Sequence, residues 1–170
     1  MSGPMTRDEL RETQAPLKER YREQPDAALI TLEADGTLDE GISCSVGTGQ
    51  ALVRAGLHPG TGGDTSLACS GDMLLQALAA CAGVTMRSVA TSMEIEVNGT
   101  VHAEGDLDWR GTLAIDRDVP VGFKAIRLSF ELESEASDDQ LAKLQELTER
   151  YCVVLQTLAG SPELSVSRKS

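Results

Sequence analysis

Aromatic residues are nearly missing from this chain: two Phe, two Tyr and one Trp, 3% of the total. That is too few to build stacking platforms for nucleobases. Basic residues are also short, with 15 Lys and Arg against 27 Asp and Glu and a net charge of −12. Such a surface repels phosphate backbones and anionic headgroups, so neither nucleic acid nor membrane is expected as a partner. No uninterrupted apolar run reaches the ~18 residues of a membrane span. The stretch Thr6-Arg7-Asp8-Glu9-Leu10-Arg11-Glu12 is charged throughout, with no apolar segment to serve as a signal peptide. The cytoplasm is the expected location, where structural disulfides are rare. There are two histidines and four cysteines (Cys44, Cys69, Cys81, Cys152), with no Cys-x-x-Cys pair and no histidine at ligand spacing. A zinc site is not expected.

What the chain does have is one long apolar run, Ser70 to Arg87, crowded with Leu, Met and Ala and free of proline. These are good helix formers. Ser70 suits an N-cap, and Asp72 sets a negative charge against the positive end of the helix dipole. Continued to Met93, the helix is roughly 34 Å long at ~1.5 Å per residue. From Met73 to Val84 every position but Gln76 is apolar, which predicts a helix buried on all faces. Ala77, Ala79, Ala80, Ala82 and Gly83 keep it thin, and Cys81 lies at its centre.

The 170 residues suit one domain with a short appendage. Residues 1–25 read as a charged helical extension, broken near Pro16, and residues 26–170 as the main domain. Ala28–Ala34 reads as a strand, turned at Asp35-Gly36 into a partner over Leu38–Val46, with a third strand near Gln50–Arg54. Gly56–Asp64 is a glycine-rich loop without the Gly-Lys-Ser/Thr ending of a phosphate loop. Beyond the helix, Asn98-Gly99 predicts a second hairpin, between Glu94–Val97 and Thr100–Trp109, with Gly111–Ile115 as an extension. Ile126, Leu128, Phe130 and Leu132 alternate with polar residues, a half-buried strand. Ser137-Asp138-Asp139-Gln140 is a capping box opening a helix that runs past Cys152, at the edge of its apolar stripe, to Gly160. Leu164–Ser167 reads as a last short strand. Hairpins joined by two apolar helices make an α+β protein. A helix apolar all round needs more cover than so small a chain supplies, which points to a dimer.

Free cysteine is usually inert core, and Cys44 and Cys69 are read that way. Cys81 differs because Thr85, Ser88 and Ser92 make its helix face polar toward the C-terminus. Attack by sulfur needs the thiolate, which an apolar site disfavours. Lowering a thiol from about 8.5 to about 6 takes roughly 3.4 kcal/mol of preferential stabilisation of the anion. A nearby guanidinium could supply it, with Arg20, Arg22, Arg54 and Arg87 as the candidates.

The run Gly71-Asp72-Met73-Leu74-Leu75-Gln76-Ala77-Leu78-Ala79-Ala80-Cys81, followed by Tyr151-Cys152-Val153-Val154-Leu155-Gln156-Thr157-Leu158 in a second helix, resembles the OsmC/Ohr family of thiol peroxidases. The match covers roughly residues 20 to 168. The resemblance implies two antiparallel sheets around two central helices, in an intertwined homodimer with active sites at the subunit interface. It implies reduction of organic hydroperoxides, without metal, haem or other cofactor, as a defence against oxidative stress. Cys81 corresponds to the peroxidatic cysteine and Cys152 to the resolving one, their disulfide being reduced by an external dithiol. Arg22 is the positional match for the family's thiolate-activating arginine, and Asp72 for the acidic residue that orients it. Val153 stands where many members have proline, and Ala82 where many have Phe or Thr. The alternatives are a non-catalytic relative that binds a small apolar ligand, and an interaction module docking through the N-terminal helix.

Overall fold

The computed structural model describes residues 6–24, 36–38, 43–47, 52–63 and 65–168. The chain divides into two compact units, one of Met1–Arg7, Ala77–His102 and Ser129–Ser170, the other of Asp8–Gln76 and Ala103–Leu128.

Helix α1 spans Arg7–Glu23, in the second unit from Asp8 on, and keeps Pro16 inside it, where a break was expected. Proline removes one N–H from the ladder, and here the helix continues through that loss. Strands β1 (Gly36–Leu38), β2 (Ser43–Gly47), β3 (Leu52–Gly56) and β4 (Ala68–Cys69) form one sheet in that order. β1–β2 and β2–β3 are antiparallel, while β3–β4 is parallel, pairing Ala55 with Ala68. Gly36, expected in a turn with Asp35, is a strand residue opposite Val46, and Asp35 lies outside the described residues. The strand expected over Ala28–Ala34 lies outside the described residues. The glycine-rich loop holds a 3-10 turn at Pro59–Thr61, capped by the His58 side chain, which accepts from the Gly60 N–H.

Helix α2 occupies Ser70–Met93, the extent expected. It closes on a left-handed Glu94 (φ 58°), with the Ile95 N–H on Ala90 O at 2.9 Å and the Glu94 N–H on Thr91 O at 3.2 Å. That pair of bonds satisfies the last carbonyls and turns Ile95 into the core. By length and composition α2 could cross a bilayer, yet Leu78, Ala82, Met86 and Ala90 are buried on one stripe at four-residue spacing. The stripe belongs to a core, formed by Met86, Ala90, Val97 and Leu144 with Val89, Phe130 and Leu132 packed on it. A Cβ on Gly83 would lie 3.5 Å from Val101, so the thin helix does bring a neighbour close. Burial on every face does not occur within the chain, because Val84 is 73% exposed.

Strands β5 (Asn98–Asp106) and β6 (Ala125–Glu133) pair with each other in a second sheet, joined through the short helix α3 (Trp109–Thr112). β6 alternates exposed and half-buried residues along its whole length, as the pattern predicted. The hairpin expected at Asn98-Gly99 does not form. Both residues lie in β5; Gly99 adopts φ +133°, and a Cβ there would fall 1.9 Å from the Glu131 carbonyl oxygen, so the position requires glycine. Gly111, expected to extend the sheet, is in α3.

Helix α4 (Asp138–Tyr151) starts with the predicted capping box, the Ser137 hydroxyl accepting from the Gln140 N–H and the Gln140 side chain from the Ser137 N–H. Ser137→Ala removes that cap and is expected to cost about 1 kcal/mol. Thermal unfolding should register it as a fall of about 2–4 °C. The predicted single helix is two: Cys152 is extended (φ −72°, ψ 107°), and α5 runs from Val153 to Gly160. Ser161, at φ 44°, ends α5. The segment after it is not a strand, with Leu164 and Val166 exposed.

Candidate active site

Cys81 stands in the middle of α2, and Cys152 is the joint between α4 and α5. Both belong to the first unit. The break at Cys152 creates the site. α4 closes with the Cys152 N–H on Thr148 O, and α5 opens with the Gln156 N–H on Cys152 O, both at 2.9 Å. At the start of a helix the first amides have no carbonyl to meet. Those of Val154 and Val153, together with the Cys152 thiol, act on the Cys81 sulfur and favour its anion. Val153 and Val154 are β-branched, poor helix formers directly after the cysteine, which is the local signal for a break.

The two sulfurs have opposite electrostatics. Burial works to raise the Cys81 pKa, but the Val154 N–H, the Cys152 thiol and the Val153 N–H outweigh it, and Cys81 is held below the usual thiol value. The N-terminal end of a helix favours an anion in just this way. Thr85 is within reach of the sulfur too. Its single hydroxyl proton, however, already bonds the Cys81 carbonyl oxygen at 2.8 Å. We therefore assign the lowering to the Val154 and Val153 amides and the Cys152 thiol. Cys152 moves the other way, raised first by burial and further by the neighbouring Cys81 sulfur. Cys81 is half-buried and Cys152 is completely buried, so the thiol that ionises first is also the one open to a reactant. Cys152 was expected at the edge of a stripe. The kink turns it inward.

The sequence directed attention to guanidinium groups and missed the amides. Among the described residues, no arginine contributes to lowering Cys81. Arg87 is engaged with the Val97 carbonyl oxygen at 2.6 Å. Arg22 lies on α1, and its side chain is outside the described residues. Asp72 is in the first turn of α2 and lines a cavity of about 350 Å³ in the second unit with His58, Cys69, Trp109 and Phe123. It is not among the hydrogen-bond partners of Cys81. Cys44 is on β2, its side chain outside the described residues. Among the described residues no cluster of three or more His, Cys, Asp or Glu could hold a metal ion.

Residues 62–167, which contain both cysteines of the site, match the family model described as OsmC-like protein. The chain belongs to the OsmC-like family. Solved structures agree on the fold. An OsmC-like protein from Mycoplasma pneumoniae superposes with a TM-score of 0.65 at 20% identity, over 77% of this chain and 89% of that one. An organic hydroperoxide resistance protein from Elizabethkingia anophelis gives 0.55 at 20% identity, over 78% and 90%. An OsmC-like protein of unknown function from Vibrio cholerae gives 0.57 at 14%, over 76% and 94%. No curated protein matches. The α+β architecture is thus that of OsmC-like proteins.

Proposed function

We propose that this OsmC-like protein is a cysteine-based peroxidase that reduces organic hydroperoxides and protects the cytoplasm against oxidative stress. The observation that carries the reading is the Cys81 sulfur, held between the first amides of α5 and the Cys152 thiol. Family membership, and a fold shared with an organic hydroperoxide resistance protein, support it.

The thiolate of Cys81 attacks one peroxide oxygen. The O–O bond breaks, an alkoxide leaves and takes up a proton as the alcohol, and Cys81 becomes a sulfenic acid. Cys152, already in hydrogen-bonding contact, loses its proton and attacks the oxidised sulfur. A disulfide forms and water leaves. An external dithiol then returns both cysteines to thiols and is itself oxidised to a disulfide. Arg22 is proposed as the thiolate-activating arginine and Asp72 as the acidic residue that orients it, Asp72 acting from across a subunit boundary. The exposed Val84 face of α2 supports a homodimer, since burying it needs a second chain.

One equivalent of cumene hydroperoxide should consume two thiols per chain and yield a Cys81–Cys152 linked peptide on a non-reducing map. Loss of no thiol, or a linked pair that excludes Cys81, would overturn the proposal in favour of a ligand-binding relative.

A further inference from the structure

Where α4 gives way to α5, one carbonyl loses its natural donor. In an unbroken helix the Val153 N–H would bond the Glu149 oxygen, four residues back. Here that amide is turned to Cys81, and the Glu149 oxygen instead accepts from the side-chain amide of Gln156 at 2.9 Å. Gln156 reaches back seven residues to do so. Its own backbone N–H meanwhile bonds the Cys152 oxygen at 2.9 Å. One residue therefore holds both sides of the joint, the last turn of α4 through its side chain and the first turn of α5 through its main chain.

We propose that Gln156 is a positioning residue for the Cys81 sulfur: by occupying the Glu149 carbonyl it keeps the Val153 amide from closing the helix and leaves that amide facing the sulfur. Two acceptors compete for one N–H, and Gln156 removes the backbone one from the competition. Without it, the Glu149 oxygen is open to water or to the Val153 N–H, which a small rotation at Cys152 would return to it. Gln156 touches neither sulfur, so its effect passes through the main chain. The inference rests on Cys81 being the reactive thiol of the proposed peroxidase.

The test is the pH dependence of Cys81 alkylation by iodoacetamide, read on the Cys81 peptide by mass spectrometry, with intact protein. Gln156→Leu and Gln156→Met, both at an exposed position, should hold about fivefold less Cys81 thiolate than the parent at pH values below its alkylation midpoint, the worth of one neutral hydrogen bond. Gln156→Lys, which keeps an N–H donor, should restore the parental profile, measured in 1 M salt where the added charge is screened beyond ~3 Å. Far-ultraviolet circular dichroism identifies any variant that fails to fold, and the other apolar variant then carries the comparison. An unchanged Cys81 profile in a folded apolar variant would overturn the inference. If the profile shifts but the parent consumes no peroxide, Gln156 keeps its role and the peroxidase reading falls. If peroxide is consumed and the profile does not shift, the reverse holds.

Discussion

Cys81→Ser is expected to lower organic hydroperoxide consumption by at least about a thousandfold, because removing a nucleophile removes the step it performs. A serine hydroxyl in the same surroundings is a far weaker acid than a thiol and stays un-ionised at neutral pH. Cys152→Ser should behave differently. It keeps an O–H that can donate to Cys81, so the first turnover should run near the parental rate and then stall. A sulfenic acid trapped by dimedone on the Cys81 peptide, one per chain, is the expected product. Cys152→Ala removes that donor too and should slow the first turnover as well. Rapid mixing with cumene hydroperoxide separates the three. Equal turnover in parent, Cys81→Ser and Cys152→Ser would leave the mechanism without its two sulfurs.

Gly99→Ala is expected to be among the most damaging single-methyl changes in the chain. The residue holds φ +133°, and an added Cβ would meet the Glu131 carbonyl oxygen at 1.9 Å. Both atoms belong to paired strands, so no flexible side chain can move aside, and β5 would have to separate locally from β6. Backbone strain and the lost ladder bonds together are expected to cost about 3 kcal/mol. For a chain of this size the unfolding midpoint should fall by about 6–12 °C. Gly160→Ala, with open space around its Cβ, is the natural control.

Those two predictions stand on different footings, and the contrast runs through the whole molecule. That Cys81 and Cys152 would lie together was legible in the chain because the residues flanking both resemble a known family. Gly99 was misread. Asn-Gly is a strong turn signal by local chemistry, yet β5 runs straight through it, since a distant strand supplies the pairing and the close approach. Leu164 and Val166 failed for a related reason: they alternate like strand residues, but no described strand lies beside them.

What the sequence determined by itself is what contiguous residues encode. The length of α2, the capping box at Ser137 and the alternation of β6 each depend on spacing within one segment, and each is found where it was expected. Tertiary structure alone decided which strand β5 would pair with, which face of α2 is covered, and what lowers the Cys81 pKa. The last depends on the Cys152 thiol and on two amides that carry no side-chain signature at all. A backbone N–H is present at nearly every residue and becomes a site only when a helix ends and another begins against the right sulfur. That meeting is set by the packing of α4 and α5 on α2, which local spacing does not record.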